Sequence, residues 1–205
     1  MSSIQPIIME NDSSQEPKTQ EKEPSSILSF LIYVACALLV VVPFRIFIAQ
    51  PYIVNGTSMY PTFHDADYLI VDQLSKRFET PLRGAVVIIE NPKYPKENTK
   101  YFIKRLIGFP NESVKIVDGK VSIISTEHPD GLLLNEPYVK YPKVENFERK
   151  LGNDEYFVMG DNRAGSSDSR IWGPIHKDEL VGTPLIRLLP IKSIDFAPGK
   201  AELAK

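Results

Sequence analysis

The sequence predicts a mainly β protein: a partly closed, barrel-like antiparallel domain behind one N-terminal transmembrane helix, with a small inserted β-rich lobe. Three observations predict it. An uncharged run, ILSFLIYVACALLVVVPF, fills Ile27 to Phe44. From Pro51 onward the apolar residues fall into short runs rich in β-branched and aromatic side chains, bounded by Gly, Pro or Asp. No helical stripe of comparable length follows the apolar run, so the domain after it is mainly β and closed or barrel-like.

Taken in order, residues 1–26 hold five acids, two lysines and three prolines, the composition of a disordered tail. The segment 27–49 carries only Arg45 as a charge, and about 20 apolar residues at 1.5 Å each cross a hydrocarbon core. A cleaved signal peptide would have a basic start, a shorter apolar stretch and a small-residue cleavage site. Here the tail is acidic and the segment runs on into Gln50-Pro51-Tyr52. A buried core helix would seldom hold so long an uncharged run. Lys18 and Lys22 precede the segment, and after Arg45 no Lys or Arg appears before Lys76. That asymmetry, with Arg45 counting against it, puts the N-terminus in the cytoplasm and residues 50–205 outside, as a single-pass protein.

The strands expected in that domain are YLIVDQL (Tyr68–Leu74), AVVIIE (Ala85–Glu90), YFIKRLI (Tyr101–Ile107), SVKIVDGKVSII (Ser113–Ile124), EYFVMG (Glu155–Gly160) and PLIRLLPI (Pro184–Ile191). Asp118-Gly119 between two alternating runs marks a two-residue hairpin. From Glu127 to Asn153 the apolar density falls and Pro129, Pro137 and Pro142 interrupt the chain. That stretch reads as part of an inserted lobe or long connection covering about 111–154.

Composition closes several functional classes. A net charge of −2, without a basic stripe interleaved with aromatics, gives no reason to expect nucleic acid. Cys36 is the only cysteine, which rules out an intrachain disulfide and a Cys-based zinc site. His64, His128 and His176 stand at no metal-ligand spacing and read as surface or turn histidines. G-x-S-x-G, phosphate-loop and Rossmann motifs are absent, and neither metal nor cofactor is expected.

Two segments carry chemistry. In Gly56-Thr57-Ser58-Met59-Tyr60-Pro61-Thr62 a serine follows an apolar strand across a glycine turn, with a proline fixing the exit, so its hydroxyl has a defined direction. Most turn serines only bond locally. In YFIKRLIG, Lys104 shares a strand face with Phe102 and Leu106, and Arg105 shares the other with Ile103 and Ile107. Burial of that face favours the neutral amine; reaching neutrality near pH 7 needs a fall of roughly three units, about 4 kcal/mol. The alternative is that both charges mark a protected sheet edge.

GTSMYPT, DADYLIVDQLSKRF, RGAVVIIENP with KYFIKRLIG, and GDNRAGSSDSR followed by WG stand in the order and spacing of the motif boxes of bacterial type I signal peptidases, and the chain resembles that family from about Gln50 to Leu189. The resemblance implies a membrane-anchored Ser/Lys-dyad endopeptidase that removes signal peptides from exported precursors after Ala-x-Ala. Ser58 would be the nucleophile, Lys104 the general base, and the Ser58 N–H an oxyanion donor. Ser166 matches the hydroxyl that orients the lysine, and Asp161, Arg163, Asp168 and Arg170 the charges bracing the site. Tyr52, Val54, Phe102 and Ile103 would flank an extended substrate. Exposed apolar residues such as Phe63 would turn the cleft toward the bilayer, with contact to the secretion machinery no more than transient.

The chain departs from the family at Gly56, where some relatives carry an assisting hydroxyl, and at Ala85 and Ala164-Gly165, where Asp and Asp-Asn are common. Oxyanion donation and the bracing network must then be incomplete or rebuilt. These departures leave open a divergent paralogue with narrow specificity or little activity. A membrane-anchored domain that only binds partners is the remaining alternative.

Overall fold

The computed structural model describes residues 26–47, 49–90 and 100–201, with side chains described over 27–42 and, within the later stretches, from Gln50 onward. The expected acidic tail lies outside the described residues except for Ser26.

Helix α1 runs from Ser26 to Phe47. Its described side chains are almost all apolar and almost all exposed, Ile27, Tyr33 and Leu39 by about three-quarters. Among the described residues no helix is long and apolar enough to cross a membrane. The described side chains, Ile27 to Val42, rise about 24 Å, short of a hydrocarbon core of about 30 Å.

The remainder is a β structure of twelve described strands: β1 (Ala49–Ile53), β2 (Tyr68–Asp72), β3 (Val86–Glu90), β4 (Tyr101–Gly108), β5 (Ser113–Val117), β6 (Lys120–Ile124), β7 (Leu132–Leu133), β8 (Phe147–Lys150), β9 (Glu155–Met159), β10 (Ile175–His176), β11 (Leu180–Leu189) and β12 (Asp195–Phe196). The larger sheet has the order β1-β2-β11-β3-β4-β9-β10, with β12 on β11, and every pairing is antiparallel. Among the described residues its end strands β1 and β10 do not pair with each other, so the sheet does not close. The lobe is a second sheet, β7-β6-β5-β8. Asp118 and Gly119 both have positive φ, 50° and 78°, as the expected two-residue hairpin requires.

The interior place of β4 decides the fate of the adjacent charges. It lies between β3 and β9, with Arg105 paired on both sides and Lys104 on the β3 side, and both side chains are buried, so the reading of the two charges as guards of an exposed edge does not hold. Apolar clusters cover both of its faces: Phe102 and Leu106 pack with Val87, Ile89 and Val158, and Ile103 with Val54, Met59, Leu69 and Ile88. Ile103 through Gly108 are all buried, and the two cations with them. Phe63, expected to be exposed, is fully buried in the Ile103 cluster, where it anchors the turn that carries Ser58.

Two elements differ in extent from the sequence reading. β11 begins four residues before Pro184, which sits at a register shift against β2 where a missing N–H costs no ladder bond. Within Glu127–Asn153, β7 has two residues and β8 reads Phe-Glu-Arg-Lys, too short or too polar to show alternation. A four-residue helix α2 (Ser169–Trp172) follows the GDNRAGSSD loop, capped by Asp168.

Candidate active site

Ser58 lies in the turn after β1. Gly56 has φ +98°, a conformation that an L side chain resists, and its N–H donates to the Asp65 carboxylate at 2.8 Å. Met59 and Phe63 plug into the core, so the half-buried Ser58 is held beside two anchors. On the facing strand the Lys104 Nζ donates to Ser58 Oγ at 2.7 Å and to the Ile103 carbonyl at 3.0 Å. Burial, only partly offset by Asp168 and Asp161, lowers the Lys104 pKa to about 8.

A charged layer lies behind the pair. Asp161 is wholly buried and accepts from Arg105 Nε at 2.8 Å, Arg105 Nη2 at 2.6 Å and Thr62 Oγ1 at 2.5 Å. Arg105 also donates to the carbonyls of Gly84 and Gly199, at 2.6 and 2.8 Å. Asp168 accepts from the Gly160 N–H at 3.0 Å and from Arg170 Nε and Nη2 at 2.8 and 2.7 Å. Burial alone would raise the Asp168 carboxyl, but the Arg170 guanidinium outweighs it and holds the pKa below its ordinary value. Arg163 pairs with Glu136, and Arg170 with Glu145 as well as Asp168. Ser166 is buried near Asp168, and its hydroxyl meets no partner in hydrogen-bond geometry. No hydrogen bond joins Ser166 to Lys104.

Tyr52, Val54, Phe102 and Ile103 line one cleft with Ser58 and Lys104, about 500 Å³ in volume. Every residue expected at the catalytic pair or the substrate wall therefore meets there. Of the four charged residues expected to brace it, Asp161, Arg163 and Asp168 are buried and Arg170 is part-buried. Sequence reasoning missed Arg105, Thr62, Gly160, Glu136 and Glu145. Arg105 carried a signal, a second cation in an apolar strand. Gly160 is required by close approach: a Cβ there would collide with the Ser166 hydroxyl and, at 2.5 Å, with the Ser58 carbonyl oxygen. The acids of the lobe carried none, since isolated glutamates in a polar stretch look solvated.

Arg163 and Arg170 pair with Glu136 and Glu145 from the lobe, while at two of the departing positions Ala164 N donates to the Tyr141 carbonyl at 3.2 Å and Gly165 N to Asn162 Oδ1 at 3.0 Å. The expected surface histidines are all exposed. Among the described residues no cluster of His, Cys, Asp and Glu could hold a metal ion.

Residues 27–189 match the family model described as signal peptidase, peptidase S26. The chain is 34% identical over 200 residues to signal peptidase I T of Bacillus subtilis (strain 168), with 90% of this chain and 97% of the relative covered. It is 31% identical over 169 residues to the probable signal peptidase I-2 of Synechocystis sp., with 81% of this chain and 75% of the relative covered. A crystal structure of a signal peptidase I from Enterococcus faecalis V583 aligns with a TM-score of 0.43 at 26% identity, over 51% of this chain and 97% of that one.

Proposed function

The chain belongs to the signal peptidase family, peptidase S26, and we propose that it acts as a serine endopeptidase that cuts signal peptides from exported precursors with Ser58 as nucleophile and Lys104 as general base. The observation that carries the assignment of residues is the 2.7 Å contact between Lys104 Nζ and Ser58 Oγ at the floor of the cleft. With a pKa of about 8, about a tenth of the amine is neutral at pH 7, enough to accept the Ser58 proton. As Oγ attacks the scissile carbonyl carbon, its proton passes to Nζ and the carbonyl oxygen becomes an oxyanion. The Ser58 backbone N–H, which donates to no group among the described residues, is a donor for it. Collapse breaks the C–N bond, and the protonated amine of Lys104 supplies the proton that the leaving amine needs. Water, deprotonated by the same amine, then hydrolyses the acyl-enzyme.

Substrate pairing follows from two unpaired strand edges at the cleft. Among the described residues β1 pairs only with β2, and β9 pairs β4 only from Arg105 onward, so Tyr101–Lys104 meet no described strand on that side. An extended peptide can bond to both edges while its alternate side chains meet Tyr52, Val54, Phe102 and Ile103. Shallow apolar walls suit small residues, which supports cutting after Ala-x-Ala.

We further propose that α1, from Ser26 to Phe47, is a single-pass anchor placing the N-terminus in the cytoplasm. Apolar side chains exposed around the helix over Ile27–Val42 have no protein core to enter, and lipid is the environment they fit. The test of function compares the wild type with Ser58→Ala and Lys104→Ala on an Ala-x-Ala precursor, reading product masses. A cut after the second Ala that both substitutions abolish is expected. No cut by the folded wild type would favour the divergent paralogue, and a cut surviving either substitution would remove the dyad.

A further inference from the structure

The lobe sheet contributes nothing to the lining of the cleft, yet the segment between β7 and β8 sends two polar side chains into the layer behind Lys104. The Glu136 carboxylate takes both terminal nitrogens of Arg163, at 3.0 and 2.5 Å, and its side chain is only 9% exposed. Tyr138 donates its hydroxyl to the same carboxylate at 2.9 Å and lays its ring 3.8 Å from the guanidinium carbon of Arg105. Burial, reinforced by the Glu136 charge, pushes the Tyr138 phenol far above its ordinary pKa, so it remains a donor. From there Arg105 grips Asp161 through two nitrogens, and Arg163 Nε donates to the Gly160 carbonyl at 3.1 Å. One buried polar chain thus joins the lobe to the two residues that adjoin the catalytic pair, Gly160 and Asp161.

A lobe that merely covered the sheet would present apolar groups here, as it does nearby with Val121, Leu134 and Leu151 against Phe157 and Met159. Instead it aims a carboxylate and a phenol at two buried guanidiniums, an arrangement that is costly unless fully satisfied and geometrically strict when it is. We infer that Glu136 and Tyr138 are positioning residues for the general base: they fix Arg163 and Arg105, and through them hold Asp161 and the Gly160 peptide in register with Lys104 and Ser58. The inference rests on the Ser58/Lys104 reading above.

The groups facing the Lys104 amine are Ser58 from the turn after β1, the Ile103 carbonyl and Phe102 ring on β4, and Asp161 and Asp168 from the loop after β9; Arg105 pairs with Asp161 and Arg170 with Asp168, while Arg163 pairs with Glu136 and bonds to the Gly160 carbonyl. Glu136→Gln leaves the Arg163 charge without its counter-ion, which favours the neutral amine. The experiment uses the full chain in detergent with a peptide substrate and compares the wild type, Glu136→Gln, Tyr138→Leu, the double variant Glu136→Gln/Arg163→Met, and Lys104→Ala. For Glu136→Gln and Tyr138→Leu, kcat should fall about ten-fold or more while KM stays within about two-fold, since neither residue lines the cleft. The acidic limb of the pH profile should move to lower pH in Glu136→Gln. The double variant removes the orphaned cation, so its denaturation midpoint and its limb should return toward the wild type while kcat stays low. Recovery of kcat together with stability in the double variant, or an unchanged kcat and limb in Glu136→Gln, would overturn the positioning role. Activity persisting in Lys104→Ala would instead overturn the dyad, a result that the lobe variants cannot produce.

Discussion

Burial of Lys104 has two opposed effects, favouring the neutral amine that the proposed mechanism needs and costing folding stability, and both lead to measurable consequences. Because its pKa is lowered to about 8, kcat/KM should rise with unit slope as pH climbs toward 8 and then level. A limb two or more units away, measured on the free enzyme with a peptide substrate, would take the proton-accepting role from this residue. The same shift bears on stability. Between the folded value and an unfolded value near 10.5 the unfolded chain binds the extra proton, so folding is penalised fully below pH 8 and the penalty fades as pH rises through 10.5. Replacing the amine removes the penalty: Lys104→Met should abolish cleavage and stabilise the protein by about 3 kcal/mol at pH 7, the gain shrinking to below about 1 kcal/mol at pH 10. Denaturant titrations of both proteins at the two pH values check this, and a Lys104→Met protein less stable at pH 7 would contradict it. Lys104 could be found in the sequence because strand alternation put it between Phe102 and Leu106 on one face. What alternation could not supply was its distance to Ser58, 46 residues away in the chain.

At the scale of elements, β4 and the loop after β9 work as one unit, joined by Arg105 and Asp161. That ion pair is closed to solvent on both sides, with side-chain exposures of 1% and 0%. Removing one partner leaves the other charge buried without its counter-ion, so Asp161→Asn or Arg105→Leu should each destabilise by about 3–5 kcal/mol, whereas an exposed pair such as Lys115–Glu148 should give almost nothing. Thermal unfolding of these two variants and of Glu148→Gln separates the cases. Gly160 is the matching steric constraint: Gly160→Ala should depress kcat by about a hundred-fold, because the added methyl displaces both the Ser58 carbonyl and Ser166. Strands with several alternating apolar residues were legible, and the Asp118-Gly119 hairpin with them. β7, β8, β10 and β12 were not, because two to four residues contain too little pattern to separate from a loop, and tertiary pairing alone makes them strands. Glu136, Tyr138 and Glu145 were illegible for a related reason. Their partners Arg163, Arg105 and Arg170 lie 25 or more residues off, and only the folded lobe shows that these side chains turn inward.

For the molecule as a whole, two exposed apolar surfaces bear on the membrane anchoring proposed above. One is α1, whose exposed Ile27, Phe30, Leu31, Leu39 and Val40 surround a helix with no polar face to keep wet. The other, within the β structure, is formed by Leu185, Leu189, Ile191, Ile194 and Phe196 on β11, β12 and the turn between them, all exposed by about half or more. At about 25 cal/mol per Å² either could favour lipid, but only a spanning helix makes detachment effectively irreversible. A chain anchored by α1 should remain in the membrane pellet after alkaline or high-salt washing, and deletion of residues 1–47 should release it to the soluble fraction. The shortened chain retains Ser58, Lys104 and every residue of the charged layer, so it should still cut a short peptide. It should process a membrane-embedded precursor more slowly, by the effective concentration that anchoring to one surface confers. If the shortened chain stayed in the pellet, and Phe196→Glu with Ile191→Glu then released it, the β surface would be the anchor and the spanning role of α1 would fall.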